Sequence, residues 1–300
     1  MTIKELSKNL LSMLKLIIIS FKYGLKRLVY DIYFIFKKKY KHNIIFIAGL
    51  PMSATTKVKN MCGFIPGYFT RYSPTPHEIA VQQDISDKTF KYCPKWSYTL
   101  FKTHLNPTVK NLEILKRHEI NKVVVTYRDL RDVAVARYHR LLKFPKKKNE
   151  PYYLEFDKQY KNISKSDGIN DCIKVVSKDF VNWIFGWKDI SEKKDNFVLF
   201  CKFEDLIQDP KKEFKKILKF YEIELDESLI DKIVENTKGK KSMEENFKDE
   251  KFLPWALSSN FRSGKIGGWK EEFDSSNIKK FKELCGEALI KLKYEKNLNW

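Results

Sequence analysis

The stretch Ile44-Ile-Phe-Ile-Ala48 is a run of β-branched and aromatic residues with no polar interruption, bounded by Asn43 and Gly49. Such a run reads as a strand buried on both faces, which is the environment of a parallel sheet. It leads straight into Gly49-Leu-Pro-Met-Ser-Ala-Thr-Thr56, and a helix is expected from about Ala54. Further buried-strand candidates lie at residues 98–102, 122–127 and 197–202. Each is followed by a turn and then by helical periodicity, with helices expected at 111–117, 132–142, 169–190, 210–221, 227–236 and 277–291. Strands alternating with helices predict an α/β fold, a parallel sheet flanked by helices on both faces. Residues 43–300 contain no internal repeat and no linker and read as one domain. Two charged stretches, 144–167 and 238–268, are long loops of the kind that cover substrates.

The segment 1–42 is apolar and basic together. Its longest apolar run, residues 10–21, is broken by Lys15 and falls short of the ~18–20 residues a spanning helix needs. Lys4, Lys8, Lys15, Lys22 and Lys26 form one narrow stripe at 100° per residue, with Leu, Ile, Phe and Tyr around most of the remaining circumference. This is an amphipathic N-terminal helix. Two roles are open to it: peripheral contact with an acidic membrane surface, or packing of its apolar face on the domain or on a second subunit. A secretory signal is disfavoured, because a basic stretch at 37–41 follows the apolar run where a small-residue cleavage site would stand.

The chain carries 58 Lys+Arg against 38 Asp+Glu, a formal charge of +20, which favours anionic partners. Most of the excess is scattered Lys and reads as solvated surface. A nucleic-acid binder has only this charge behind it, since no recognition-helix, zinc or RRM signature is present. Cys62, Cys93, Cys172, Cys201 and Cys285 are far apart, odd in number and without a CxxC pair. They read as reduced thiols of a cytoplasmic protein. No HExxH motif or close His/Cys cluster is present, so no metal is expected.

Three segments can carry chemistry. The turn 49–56 offers backbone N–H groups at a helix start, with the hydroxyls of Ser53, Thr55 and Thr56 as added donors, and so suits a phosphate. Thr55 stands where a nucleoside-triphosphate loop has its Lys, so a nucleotide without a triphosphate tail fits better. Arg128 follows the buried run 122–127, at a strand end where α/β sheets bind ligands, and its planar fork suits a second phosphate. Asp132 stands where it can cap or pair at the start of the next helix. The Gly-rich basic loop 261–270, with Arg262, suits phosphate as well. Taken singly, each has a plain structural explanation in a turn, a helix cap or solvated charge.

In this order the segments resemble the PAPS-dependent sulfotransferase family, of the cytosolic type. Residues 51–57 resemble its PKSGTTW-like 5′-phosphosulfate loop, 128–139 its RNPKDVAVSYYH-like 3′-phosphate motif, and 262–270 its RKGxxGDWK motif. Lys102-Thr-His-Leu105 looks like its KTHLP segment and residues 203–210 like its YEDLxxDP segment. The resemblance spans about residues 44–275. It implies a P-loop-like sulfotransferase fold, with 3′-phosphoadenosine 5′-phosphosulfate (PAPS) as donor and a small-molecule hydroxyl or amine as acceptor. It further implies that Ser53, Thr55 and Thr56 hold the 5′-phosphate, that Pro51, Met52 and Ala54 of the same loop are cofactor-binding, and that Arg128 and Arg262 hold the 3′-phosphate with the amides of Ser263 and Gly264. Lys57, Ala136 and Phe203 fall on further cofactor-contacting positions. His104 falls on the general base, with Lys102 as electrostatic support; a neutral imidazole has the proton affinity to serve a hydroxyl near pH 7.

Departures from the pattern bear on turnover. Met52 replaces the loop Lys that neutralises the leaving group, and Ala136 replaces the Ser that touches both this Lys and the 3′-phosphate. Lys57 replaces an aromatic that lies against adenine, Phe203 replaces a Tyr, and Ala54 and Gly268 replace Gly and Asp. Two functions follow: a sulfotransferase with reduced activity, or a non-catalytic binding protein that keeps the adenosine 3′,5′-bisphosphate site.

Overall fold

All six residues of strand β1, Ile44–Gly49, are buried, as the uninterrupted apolar run requires. In this computed structural model the described residues are 40–71, 83–90, 93, 97–143, 160–238 and 264–300, together with 25, 28, 29, 32 and 33. β1 is the centre of a five-stranded sheet of order β2-β3-β1-β4-β5, with β2 at Phe69–Arg71, β3 at Thr99–Thr103, β4 at Val123–Tyr127 and β5 at Val198–Lys202. Every pairing is parallel. Between the strands lie helices α1 (Thr55–Gly63), α2 (Val109–Arg117), α3 (Leu130–Lys143), α4 (Lys165–Val175) and α5 (Val181–Lys193). After β5 come α6 (Phe203–Gln208), α7 (Pro210–Phe220), α8 (Glu227–Asn236) and α9 (Ser275–Lys291).

Alternation along the strands divides the core in two. Phe46, Ala48, Phe101, Val123 and Val125 face helices α3, α4, α5 and α9 on one side. Ile45, Ile47, Leu100, Val124 and Cys201 face α1, α7 and α8 on the other. The N-terminal edge of the sheet is sealed by the fully buried Tyr221, whose hydroxyl bonds the backbone of Phe46 and Lys122. The C-terminal edge is where the loops gather, so the ligand end of the sheet follows from topology.

The strands and helices expected between residues 44 and 291 are present, with ends that coincide or shift by up to four residues. The single helix expected over 169–190 is two helices joined by a π-helical turn at Val176–Phe180. The sequence reading did not anticipate β2 or α6. β2 has only three residues, and α6 begins directly at the end of β5 with no intervening turn signal. Of the N-terminal segment, Leu25, Leu28, Val29, Ile32 and Tyr33 are helical and 50% to 60% exposed, at the i, i+3, i+4, i+7, i+8 spacing of one face. Its lysine stripe lies outside the described residues, as do most of the long loops 144–167 and 238–268.

Candidate active site

The loop after β1 is held by its own side chains. The Ser53 hydroxyl donates to the Leu50 carbonyl at 2.6 Å and lies 2.6 Å from the Thr126 hydroxyl, which in turn is 3.0 Å from that of Thr55. Ser53, Thr55 and Thr126 are all buried. Ser53 and Thr55 therefore brace the loop against β4, and Thr56 is the exposed hydroxyl of the three. Thr126, which the sequence reading did not single out, is the hub of this network; its signal was a hydroxyl two residues before Arg128 in an otherwise apolar strand. Gly49 is obligatory here, because a Cβ would sit 2.1 Å from Thr55 Oγ1 and 2.5 Å from Thr126 Oγ1.

Two non-glycine residues in this loop, Met52 at φ 69° and Ala54 at φ 60°, adopt the left-handed conformation. Each costs roughly 1–2 kcal/mol relative to Gly, and the cost is borne at a candidate site. Ala54 is the N-cap of α1 yet makes no side-chain cap bond, and no acidic residue occupies the first turn. The Lys57 amide donates to the Ala54 carbonyl at 2.9 Å, while the first two amides of α1, those of Thr55 and Thr56, lie at the uncapped helix start, the arrangement that suits a phosphate. Pro51 is buried, Met52 packs partly on the core, and Lys57 is half-buried. Burial, reinforced by Lys238, lowers the proton affinity of Lys57.

Arg128 leaves β4 at the same edge of the sheet. Its guanidinium lies 4.0 Å over the buried ring of Phe203, and Nη2 donates to Asp132 Oδ2 at 3.1 Å and to the Lys265 carbonyl at 2.7 Å. Its Nε is buried without a hydrogen-bond partner among the described residues. A buried, unsatisfied guanidinium N–H beside a phosphate-shaped loop fits an anionic oxygen. Asp132 is 2% exposed and takes the amides of Gly267 and Trp269, each at 2.9 Å, so it ties the Gly-rich loop to the start of α3. Gly264, in the left-handed region at φ 65°, opens the described part of that loop, whereas Arg262 and Ser263 lie outside the described residues. Ala136 is half-buried on α3, two turns from Arg128. The neighbouring Arg131 is packed between Trp269 and Trp300, 4.1 and 4.6 Å from the ring centroids, and is paired with Asp129 and Glu295.

His104 follows β3, and β3 pairs directly with β1. Its Nδ1 is 2.5 Å from the Gly49 carbonyl and its Nε2 is 3.3 Å from Lys102 Nζ. A carbonyl only accepts, so Nδ1 carries the proton and Nε2 presents its lone pair, the tautomer a general base requires. Burial and the Lys102 charge push the His104 pKa down to about 3, with Arg140 contributing and the Gly49 carbonyl opposing. Burial, then Lys59, then Arg140 lower that of Lys102 to about 8. At neutral pH the pair is a neutral imidazole and an ammonium. Lys59 is buried on α1, and neither it nor Arg140 was singled out from sequence, because their approach to the Lys102–His104 pair is a matter of packing.

A phosphate-type loop after the central strand, an arginine after the next strand and a histidine after the neighbouring one define an α/β protein built to hold an anionic ligand at the C-terminal edge of its sheet. The chain belongs to the sulfotransferase domain family, which it matches over residues 25–293. It is 28% identical to flavonol 3-sulfotransferase of Flaveria bidentis over 269 residues, covering 82% of each chain. It is 30% identical to human sulfotransferase 1C2 over 116 residues, a match that spans about 38% of that relative and 37% of this chain. Among solved structures it resembles mouse sulfotransferase SULT7A1 complexed with PAP, with a TM-score of 0.63, 22% identity, and coverage of 87% of this chain and 89% of the other. Retinol dehydratase in complex with androsterone and the inactive cofactor PAP gives a TM-score of 0.57 at 18% identity, over 82% and 80% of the two chains. No helix among the described residues is long and apolar enough to cross a membrane, and no group of metal-ligating side chains occurs among them.

Proposed function

We propose that the protein is a PAPS-dependent sulfotransferase acting on a hydroxyl or amine of a small molecule. The observation that carries the cofactor assignment is the buried, unpartnered Nε of Arg128 at the sheet edge shared with the uncapped start of α1. In this reading residues 51–56 bind the 5′-phosphate through the leading amides of α1 and the Thr56 hydroxyl. Arg128, Arg262 and the amides of Ser263 and Gly264 hold the 3′-phosphate, and Lys57, Ala136 and Phe203 line the rest of the nucleotide. PAPS, when bound, supplies the sulfuryl group. His104 takes the acceptor's proton at Nε2 while the Gly49 carbonyl holds its Nδ1–H, and Lys102 places positive charge beside the reacting centre. Lys102 Nζ donates to the Nε2 lone pair of His104 at 3.3 Å, so this bond has to be released before the base can take a proton.

A thermal titration tests the cofactor. Adenosine 3′,5′-bisphosphate is expected to raise Tm more than ATP or AMP, with Arg128→Ala removing most of that preference. Equal shifts with ATP would end the assignment. A labelled-sulfate transfer assay with His104→Ala separates enzyme from binding protein: turnover at least ~100-fold lower with bisphosphate affinity retained supports the base. Binding without transfer in the wild type favours the non-catalytic alternative. Residues 1–42 are proposed as a segment apart from the 43–300 domain. The exposed stripe of Leu25, Leu28, Val29, Ile32 and Tyr33 supports peripheral contact with acidic lipid, which salt-sensitive co-sedimentation with anionic vesicles tests.

A further inference from the structure

The surroundings of His104 are cationic on both sides of the sheet edge, and this bears on the acceptor. Gly63 of α1 lies against Leu100 of β3, with its Cβ position 3.7 Å from the leucine side chain. One helical turn toward the start of α1 climbs about 6 Å, and two residues along β3 climb about the same distance in the same direction. Lys59, 5% exposed, is thereby set beside Lys102 on the α1 face of the sheet. Arg140 comes from the opposite face. It sits on α3 one turn beyond Ala136 and three residues past Arg137, whose guanidinium approaches the Phe180 ring at 5.8 Å. Phe180 ends the π-helical turn that leads into α5, and α5 sends the Trp183 and Trp187 indoles to the Leu105 carbonyl at 2.8 and 3.2 Å. α3 and the His104 segment are thus packed on the same helical support, with Leu105, Leu141, Phe180 and Trp183 in one core cluster. The electrostatics agree, since Arg140 depresses the proton affinity of both His104 and Lys102.

Charge matching then separates two jobs. Lys59 and Lys102 approach from the side of the phosphate loop, where a phosphosulfate has anionic oxygens to neutralise. Arg140 belongs to α3, in the layer on the opposite face of the sheet from α1, and on the sulfotransferase reading that is the side left for the acceptor. A guanidinium there is poorly matched to a wholly apolar acceptor and well matched to a carboxylate, sulfate or phosphate group.

On the sulfotransferase reading, we infer that the acceptor carries an anionic oxyacid group near its reacting hydroxyl and that Arg140 recognises this group. The probes are 4-hydroxybenzoate and galacturonate, each compared with its neutral methyl ester. Binding to protein saturated with adenosine 3′,5′-bisphosphate is measured by calorimetry, and kcat/KM is measured with PAPS. The acid of at least one pair is expected to bind about tenfold more tightly than its ester, the discrimination of one charge-assisted contact. Arg140→Met is expected to collapse that ratio, Arg140→Lys to keep part of it, and Lys279→Met, which removes an equal charge from an exposed site on α9, to leave it intact. Equal binding of acid and ester in both pairs, no binding of either acid at millimolar concentration, or a ratio unmoved by Arg140→Met overturns the inference. Failure to bind the bisphosphate at all would refute the cofactor assignment instead, and that is seen before any acceptor is added.

Discussion

Asp132→Asn removes one charge and almost no volume from a carboxylate that serves three donors. Oδ1 accepts from the Trp269 amide, and Oδ2 accepts from the Gly267 amide and from Arg128. In the variant the carbonyl oxygen does best at the Oδ2 position, where it keeps the Gly267 amide and Arg128, while the new NH2 faces the Trp269 amide. One bond to a charged acceptor, about 1.5–3 kcal/mol, is lost and two are weakened, and breaking a buried pair from one side is put at about 3–5 kcal/mol. These figures count the same contacts twice, so about 3 kcal/mol is the appropriate size. Part of it is spent in local opening of the 264–270 loop and does not reach the global transition. Tm is expected to fall by several degrees. Bisphosphate affinity, measured by calorimetry, is expected to fall by up to ~100-fold, because the loop and Arg128 lose their common anchor. Removing a negative charge beside a bound phosphate would on its own strengthen binding. A bisphosphate Kd that is unchanged or tighter while Tm falls would therefore refute the view that Asp132 holds this loop for the phosphate and leave it a structural tie.

Met52→Lys restores a cation to the loop and is expected to raise sulfate transfer by up to ~100-fold, more when combined with Ala136→Ser. A negligible response in a briskly active wild type would identify buried Lys59, beside Lys102, as the substitute, and Lys59→Met would then lower turnover. The Lys102 pKa near 8 sets a pH dependence: the ammonium that attracts an anionic donor is present below pH 8 and is lost as pH rises through it. PAPS affinity, followed by calorimetry from pH 6.5 to 9.5, is expected to be highest on the acid side and to decline above ~8, with Lys102→Met flattening the curve. The same depressed pKa means that the folded protein binds fewer protons than the unfolded chain between about 8 and the ordinary 10.5, so this group makes stability rise with pH across that window.

The order and type of the elements were legible in the sequence wherever periodicity was strong. Residues 44–48 could be read as the central strand because a run buried on both faces has no polar break, and α7 because its apolar positions recur on one face behind an Asp-Pro start. β2 could not be read, because three residues carry too little pattern, and the π-helical turn could not because it keeps helical composition. The order β2-β3-β1-β4-β5 belongs to the tertiary structure, since sequence fixes neither which strands pair nor on which side a crossover returns. Arg128, His104 and the loop 51–56 could be named from sequence because each sits in a local motif at a strand end. What each side chain faces could not. Ser53 and Thr55 turn inward to Thr126, a residue 71 to 73 positions away, and Lys59 and Arg140, from opposite faces of the sheet, both bear on Lys102, the neighbour of His104. Local sequence determines backbone preference and burial over a few residues. The charge around one imidazole depends on long-range packing, and only the fold brings those groups together.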